Sequence, residues 1–259
     1  MAYNRTLKEI KKEIECMTPE EAINYLNTIK PDCTVSLEKL IASLEKEKLA
    51  HEKEIERLHQ MSSYERGARE KGYRYIAGID EAGRGPLAGP VVAACVMLPE
   101  NCMIEGINDS KKLSAAQREK LYEIIVEKAI SIGIGIVNEK IIDEINILNA
   151  TRLAMKQAIE QVKPQPDLLL IDALKLDDVH IEQVPIIKGD SLSISIAAAS
   201  ITAKVTRDRL IDKADDIYPM YGFKRHKGYG TAEHIKAIKK FGICPIHRIS
   251  FTKNFIDIK

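Results

Sequence analysis

The sequence of 259 residues predicts an α/β protein, with a mixed five-stranded sheet flanked by helices. Residues 1–70 are rich in Lys, Glu and Leu and contain few glycines, which indicates a helical N-terminal extension. From Tyr73 onward, short β-rich runs alternate with helical segments, and the chain ends in a helical C-terminal part. Little helix separates the first two strands, so a pure βαβ repeat is not expected. We therefore predict two domains, at residues 1–70 and 71–259.

In the N-terminal extension, the sequence predicts a helical hairpin. Thr18, Pro19 and Glu21 form a capping-box start with proline at the first helical position, and Pro31 ends that helix. A second helix is predicted over about 36–64, where apolar residues recur mostly at helical spacing. Two interpretations remain open: the hairpin is a structural cap, or it contacts nucleic acid or a partner.

The second domain contains the predicted sheet. Its strands are expected at residues 73–80, 91–98, 130–137, 167–171 and 184–187. Its helices are expected at residues 114–128, 149–162, 191–217 and 231–241.

Charge is distributed unevenly along the chain. The formal net charge is only +1, so the whole-chain balance does not indicate a polyanionic partner. Residues 201–259, however, carry a net charge of +7. The C-terminal part is therefore the basic end of the chain.

The composition also suggests a cellular location. The five cysteines contain no CxxC pair, and no zinc-type cluster accompanies them, which favours a reducing compartment. The N-terminus has charges from its start and no apolar signal segment, and no apolar run is long enough to span a bilayer. We predict a cytoplasmic protein without a membrane partner.

The most informative segment is YIAGIDEAGRGPLAGP at residues 75–90. An apolar run ends in Asp80 and Glu81, and closely spaced glycines follow around Arg84. Glycines let backbone N–H groups approach an anion or a sugar, and the arginine fork suits phosphate. A strand exit with solvated charges is the alternative.

Two further acids come at the ends of apolar runs. Asp172 ends LLLID, and Asp190 follows IIKG, where an ordinary helix cap is the alternative. Acids at several strand ends form the oxygen-rich environment that Mg²⁺ or Mn²⁺ prefers. Two such ions roughly 4 Å apart can activate water and stabilise a leaving oxygen in phosphodiester hydrolysis.

Several motifs together resemble those of the ribonuclease HII family. They cover about residues 73–251 and read IDEAGRGPLAGPVV, NDSKKL, LLIDA, IIKGD, SIAAASITAKVTRD, HKGYGT and HRISF. The resemblance implies a ribonuclease H-like fold that binds two Mg²⁺ or Mn²⁺ ions. It also implies that Asp80, Glu81, Asp172 and Asp190 are the metal-binding catalytic carboxylates.

The resemblance assigns a substrate and its contacts. Gly83, Arg84 and Gly85 match the loop that reads a ribonucleotide 2′-hydroxyl, the group that distinguishes RNA from DNA. Tyr229 matches a tyrosine that stacks on the following deoxyribose. The expected activity is endonucleolytic cleavage of the RNA strand of RNA–DNA hybrids, and cleavage 5′ of single ribonucleotides in duplex DNA. Ribonucleotide excision repair and replication are the implied processes.

Other polar positions receive roles by the same resemblance. Ser200 and Lys204 lie one helical turn apart and are expected to contact substrate phosphates, as is Lys111. A surface serine and solvated lysines are the alternative. His226 and His247 could transfer protons, but a lone histidine is more often structural, and we do not assign them a catalytic role.

Three rival functions compete with this assignment. Ribonuclease HIII shares the architecture, but its fourth acid is typically Glu and its extension is built around a sheet. A noncatalytic hybrid-binding protein would usually have a broken acid set. An exonuclease or integrase would not need the glycine-arginine-glycine loop together with KGYGT. We expect a monomer, and the sequence identifies no protein partner.

Overall fold

The computed structural model describes residues 6–30 and 36–255, which form a sheet with helices on both faces and a helical N-terminal part. The strands are β1 (Ile76–Ala82), β2 (Val91–Met97), β3 (Ser131–Val137), β4 (Leu168–Asp172) and β5 (Glu182–Ile186). The helices are α1 (Leu7–Glu13), α2 (Pro19–Ile29), α3 (Glu38–Met61), α4 (Ser63–Glu70), α5 (Ala115–Lys128), α6 (Glu139–Gln161), α7 (Ile194–Ile217), α8 (Phe223–His226), α9 (Ala232–Phe241) and α10 (Ile249–Thr252). Short 3₁₀ turns cover Ser110–Lys112, Gly189–Ser191 and Pro219–Tyr221.

The sheet is mixed, as predicted, with the strand order β3-β2-β1-β4-β5. β2 runs antiparallel to both β1 and β3, whereas β1, β4 and β5 are parallel. Ile79 of β1 pairs with Ile171 of β4, so the next residues, Asp80 and Asp172, lie at the same edge of the sheet. Parallel pairing in this register brings together two acids that are far apart in the sequence.

Two apolar layers cover the sheet. On one face, Ala77 and Ile79 pack with Met155 and Ala158 of α6. On the other face, Ile76 packs with residues of β4 and α7. Side chains alternate along β1, so Asp80 lies on the α7 face. A Cβ at Gly78 would lie 2.1 Å from the backbone of Ser195, so only glycine permits this close approach of α7.

Part of α6 was not predicted. This helix begins at Glu139, where Asn138 caps it, and the helix predicted at 149–162 is its second stretch. Asn146 interrupts α6 with φ of 66°, and its side chain accepts hydrogen bonds from the N–H groups of Leu148 and Asn149. This turn separates two helical stretches.

The N-terminal prediction also needs correction. The helix predicted over 36–64 is two helices, α3 and α4, and α1 was not predicted at all. Thr18 does form the predicted capping box with Glu21. Pro31, which was expected to end α2, lies outside the described residues.

Contacts divide the chain into two compact units, residues 1–59 and residues 60–259. In the first unit, Ile10, Leu26 and Leu37 are buried in a small core of their own. The domain limits at 70 and 71 stay a prediction. None of the described helices has both the length and the apolar character that crossing a membrane requires. Cys16, Cys95, Cys102 and Cys244 are free thiols, and Cys33 lies outside the described residues.

Candidate active site

The end of β1 holds two adjacent acids in different surroundings. Asp80 is only 5% exposed and faces α7, whereas Glu81 is partly exposed. The N–H of Glu81 donates to Asp80 Oδ1 over 2.8 Å. Burial, followed by repulsion from Glu81, raises the pKa of Asp80 well above its usual value. Burial also raises the pKa of Glu81. Both carboxylates are therefore harder to ionise than solvated ones, and a bound cation would favour their charged forms.

Asp172 and Asp190, together with Asp80 and Glu81, form the acidic cluster of the site. The N–H of Gly189 donates to Asp172 Oδ1 over 2.8 Å, which fixes the turn that contains Asp190. Ser193, and not Asp190, caps α7, so Asp190 is not an ordinary helix cap. Burial, followed by repulsion from Asp109 and Asp172, raises the pKa of Asp190. Asp109 was missed in the sequence, although the NDSKKL motif contains it.

Two basic side chains lie beside the acids. Lys111 Nζ is 3.8 Å from Asp190 Oδ2, and the lysine side chain is largely exposed. Arg84 donates to Glu81 Oε1 over 3.3 Å. Burial opposes the charge on Lys111, but Asp190 and Asp109 more than compensate and raise its pKa. Both cations are placed where an anionic ligand of the acidic cluster would meet them.

The acidic cluster fits a hard divalent cation by its donor chemistry. Its donors are carboxylate oxygens, the ligands that Mg²⁺ and Mn²⁺ prefer. Burial, together with repulsion from neighbouring carboxylates, raises the pKa values of Asp80, Glu81 and Asp190, and a bound cation would offset both effects. Within the described parts of the chain, no three His, Cys, Asp or Glu side chains converge as a ready-made metal cage. The residues therefore fit such an ion by chemistry and charge, without defining its ligand geometry.

The glycine-arginine-glycine loop and Tyr229 lie side by side. A Cβ built on Gly85 would be 3.7 Å from Tyr229 Cε1, an ordinary contact distance. The Tyr229 side chain is 46% exposed, so one part of its ring is open to a ligand. The structure thus brings together two motifs that are far apart in the sequence, next to the acids at the end of β1.

Backbone hydrogen bonds connect this loop to the C-terminal part. The N–H of Leu87 donates to the carbonyl of Gly228 over 2.8 Å, and the N–H of Gly89 donates to that of Ile246 over 2.8 Å. The N–H of Arg248 donates to the carbonyl of Leu87 over 2.9 Å. These bonds fix the position of Tyr229 relative to the loop.

Ser200 and Lys204 have partners within the protein. Ser200 is 3% exposed, and its Oγ lies 2.9 Å from Ser110 Oγ. Its hydroxyl also lowers the pKa of Asp80 by a hydrogen bond, so Ser200 is not a surface serine. Lys204 donates to Asp208 over 2.7 Å. Their predicted phosphate contacts stay a prediction, as does that of Lys111.

Three histidines form a buried cluster near Tyr229. The N–H of Cys244 donates to His247 Nδ1 over 2.9 Å, so the ring hydrogen lies on Nε2 and faces His234 Nε2 at 3.0 Å. His234 Nδ1 then donates to the carbonyl of Tyr229 over 2.9 Å. His226 Nε2 bonds a backbone carbonyl at 2.9 Å. The described contacts of these histidines are internal and support the Tyr229 loop.

Two buried arginines near the loop were also missed. Arg207 and Arg248 are 1% and 0% exposed and bond backbone carbonyls of the loop. Arg207 lies in TRD and Arg248 in HRISF, so the motifs contained both residues. Sequence patterns alone do not distinguish such arginines from solvated ones.

The sheet order, the flanking helices and the acids at the ends of β1 and β4 define a ribonuclease H-like protein. Ribonuclease H2 from Pyrococcus horikoshii OT3 has a similar structure, with a TM-score of 0.60 and 28% identity over 70% of this chain and 97% of that one. The ribonuclease HII family model matches residues 77–254, and the model of the ribonuclease HII N-terminal domain matches residues 6–69.

Full-length relatives agree with this class. Ribonuclease HII of Acetivibrio thermocellus is 61% identical over 98% of this chain and 99% of its own length. That of Ruminiclostridium cellulolyticum is 59% identical over 97% of this chain and 98% of its own. The chain belongs to the ribonuclease HII family, whose members are hydrolases of the ribonuclease H endonuclease type, active on RNA–DNA hybrids.

Proposed function

We propose that this protein cuts the RNA strand of RNA–DNA hybrids and also cuts on the 5′ side of single ribonucleotides in duplex DNA. The reaction uses two divalent ions, Mg²⁺ or Mn²⁺, and leaves 3′-hydroxyl and 5′-phosphate ends. The observation that carries this proposal is the close approach of Gly85 to Tyr229, where an added Cβ would lie 3.7 Å from the ring, beside the acids of β1. One surface then offers ribose recognition, an aromatic ring and a hydrolytic centre.

Asp80, Glu81, Asp172 and Asp190 are the proposed ligands of the ions. Their position at one sheet edge and the raised pKa of Asp80 support this role, because buried carboxylates that repel one another gain most from a cation. Bound ions would supply activated water and charge stabilisation for the leaving oxygen. The four carboxylates would hold those ions, so removing one carboxylate should abolish cleavage.

The cationic side chains are proposed to bind phosphate. Lys111 is exposed and lies 3.8 Å from Asp190, and Arg84 lies 3.3 Å from Glu81. Either side chain can exchange its carboxylate partner for a substrate phosphate once the carboxylates are occupied by metal. Lys204 is paired with Asp208, which is not a proposed metal ligand, so Lys204 would have to leave this carboxylate to reach a phosphate.

Recognition of the ribonucleotide is assigned to Gly83, Arg84 and Gly85. Backbone N–H groups suit this task because a glycine loop lets a sugar approach closely. The exposed ring of Tyr229 is proposed to stack on the next sugar, where a deoxyribose fits and a second 2′-hydroxyl would crowd the ring. Together these contacts would select an RNA-to-DNA junction.

The cellular context is part of the proposal. Removal of misincorporated ribonucleotides and of primer remnants requires this cleavage specificity. We propose that the protein works as a monomer in the cytoplasm, with nucleic acid as its partner. The net charge of +7 in residues 201–259 supports binding to a duplex backbone.

The decisive experiment is cleavage of an end-labelled DNA duplex with one internal ribonucleotide, in Mg²⁺, Mn²⁺ or EDTA. The wild-type protein should make a single metal-dependent cut 5′ of the ribonucleotide. Asp80→Asn should be inactive, and Asp178→Asn, which removes an exposed carboxylate away from the site, should be fully active. A long RNA–DNA hybrid and an all-DNA duplex are the reference substrates.

Each of the other outcomes would change the proposed function. Cleavage confined to the long hybrid would contradict junction recognition while leaving hybrid hydrolysis in place. Tight hybrid binding without cleavage would favour a noncatalytic binding protein. Undiminished activity of Asp80→Asn would remove this carboxylate from the proposed mechanism.

A further inference from the structure

Arg248 is a buried arginine that holds the glycine-arginine-glycine loop from within the protein. Its Nη2 donates to the carbonyl of Gly83 over 2.6 Å, and its Nη1 donates to the carbonyl of Arg84 over 3.0 Å. Nε and Nη2 also donate to the carbonyl of Gly89, over 2.9 and 2.6 Å. One guanidinium group therefore binds three carbonyls of the loop between β1 and β2, which contains the glycine-arginine-glycine motif.

The charge of Arg248 has no carboxylate in direct contact. Among residues 6–30 and 36–255, neither Arg248 nor Arg207 forms an ion pair within 4.0 Å. Glu139 and Asp143 act on Arg248 only at longer range, and Phe251 lies below its guanidinium, 5.2 Å from the ring centre. Burial and repulsion from Arg207 lower the pKa of Arg248 to about 9. A buried cation that hydrogen-bonds only to carbonyls costs stability.

The orientation of the loop follows from peptide geometry. In a trans peptide, the carbonyl of one residue and the N–H of the next point in opposite directions, and the peptides of this loop are trans. The Gly83 carbonyl points to Arg248, so the N–H of Arg84 points away from it. The Arg84 carbonyl also points to Arg248, so the N–H of Gly85 points away too. Two successive N–H groups are thus directed to one side, an arrangement that binds electron-rich oxygens.

We infer that Arg248 is a positioning residue for ribose recognition: by binding the carbonyls of Gly83 and Arg84, it directs the N–H groups of Arg84 and Gly85 at the ribonucleotide. This inference rests on the proposed function and names a residue through which that function gains its specificity. Arg248 does not touch the substrate. It acts through the backbone of the loop, which is why a side chain with no exposed area can affect the choice of sugar.

Arg207 holds the other half of the same loop. It donates to the carbonyls of Pro90, Ala88 and Lys227, each over 3.0 Å. A Cβ at Gly83, whose φ is +96°, would lie 2.1 Å from Arg207 Nε. Gly83 is therefore needed both for its backbone conformation and for the space that Arg207 occupies. Arg207 does not bind the Gly83 or Arg84 carbonyls, so the direction of the two N–H groups depends on Arg248.

The test measures sugar preference separately from stability. Binding to two duplexes, one all-DNA and one with a single internal ribonucleotide, is measured with Ca²⁺ in place of Mg²⁺. The Kd for the all-DNA duplex divided by the Kd for the ribonucleotide-containing duplex measures ribose recognition. Arg248→Lys keeps a positive charge but loses the fork, and Arg248→Gln keeps a planar donor without charge. Thr252→Val is the control, because Thr252 is buried and donates to the Arg248 carbonyl over 3.0 Å without touching the loop.

Arg248→Lys and Arg248→Gln should lower the Kd ratio by about fivefold or more, the loss expected for one or two misdirected hydrogen bonds. Thr252→Val should lower the Tm but leave the ratio within about twofold of wild type. Circular dichroism confirms folding, and either Arg248 variant that folds suffices for the test. A ratio unchanged in a folded Arg248 variant, or lowered equally in Thr252→Val, would overturn the inference. A wild-type ratio near one would instead contradict the proposed junction recognition.

Discussion

The hydroxyl groups of Ser110 and Ser200 meet in a buried contact, with their oxygen atoms 2.9 Å apart. Ser110 begins the 3₁₀ turn that contains Lys111, and Ser200 lies on α7 beside Asp80. This contact joins the loop that supplies a cation to the helix that supports a carboxylate. It therefore couples two parts of the proposed active site.

We predict that the two serines are energetically coupled. Ser110→Ala and Ser200→Ala should each destabilise the protein by about 1–2 kcal/mol, because each removes the contact between the two buried hydroxyls, and Ser200→Ala also removes the hydrogen bond to Asp80. The double variant should lose less than the sum of the two. Urea unfolding of the four proteins gives the coupling energy, and strictly additive losses would show that the serines do not interact.

Asp80→Asn should stabilise the metal-free protein at neutral pH while abolishing cleavage. The folded-state pKa of Asp80 is raised, so its contribution to stability is fully present at low pH and is lost as the pH rises through that pKa. The variant should exceed wild type in Tm at pH 7, and the difference should shrink towards pH 4. Thermal melts in EDTA measure it, with Asp178→Asn as the exposed control. A collapsed Tm for Asp80→Asn would contradict the prediction.

Divalent ions should stabilise the wild-type protein more than Asp80→Asn. An ion that binds only the folded state raises stability in proportion to the logarithm of its concentration over Kd. We expect Mg²⁺ or Mn²⁺ to raise the Tm of wild type by several degrees at concentrations well above Kd. Differential scanning fluorimetry with added metal provides the measurement, with Ca²⁺ as a further probe. Equal shifts in both proteins would place the ions elsewhere.

The N-terminal unit should be removable, but only up to a defined residue. Glu65 is buried, and its Oε1 accepts hydrogen bonds from Ser193 Oγ and the Ser195 N–H over 2.6 and 3.0 Å. A protein starting at Gln60 keeps this cap of α7 and should fold and cleave, with weaker hybrid binding. A protein lacking residues 1–65 should be less stable by about 1–3 kcal/mol.

Binding and unfolding measurements on the two truncated proteins, with full-length Glu65→Gln as reference, test this prediction. Equal stability of the two truncated proteins would remove the assigned role of Glu65. Unchanged hybrid affinity in the protein starting at Gln60 would leave the N-terminal helices without a binding role.

His247 should make the protein sensitive to mild acid. Burial lowers the pKa of His247 to about 4, and burial also lowers that of His234. The unfolded chain therefore takes up protons that the folded protein does not, and stability is lost as the pH falls from about 6.5 to about 4. Each histidine contributes at most about 1.4 kcal/mol per pH unit.

His247→Gln should reduce this loss, whereas His180→Gln, at an exposed position, should not. The free energy of unfolding at pH 7 and pH 5 is the measurement. Asp80 contributes to the pH dependence of stability with the opposite sign. Wild type and His247→Gln both retain Asp80, so its contribution cancels when their pH dependences are compared. An identical pH dependence in wild type and His247→Gln would contradict the assigned burial.

Local patterns in the sequence predicted much of the fold. Apolar runs that end in acids marked β1 and β4 and located Asp80 and Asp172, because strand alternation and strand ends depend on neighbouring residues. The stretch of α6 before Asn146 was missed, because it is short and a residue with positive φ ends it, whereas the predicted helix at 149–162 starts just after this break.

The sequence by itself determined the residue types of the site and the elements that carry them. Only the tertiary structure decided which distant residues meet: Gly85 with Tyr229, Ser110 with Ser200, and the Arg248 guanidinium with the carbonyls of the loop. The physical reason is that burial and hydrogen bonding of a polar side chain depend on the packing of segments remote in the chain. An arginine in a motif has the same local pattern whether it is solvated or buried, and only the fold surrounds Arg248 with carbonyl groups.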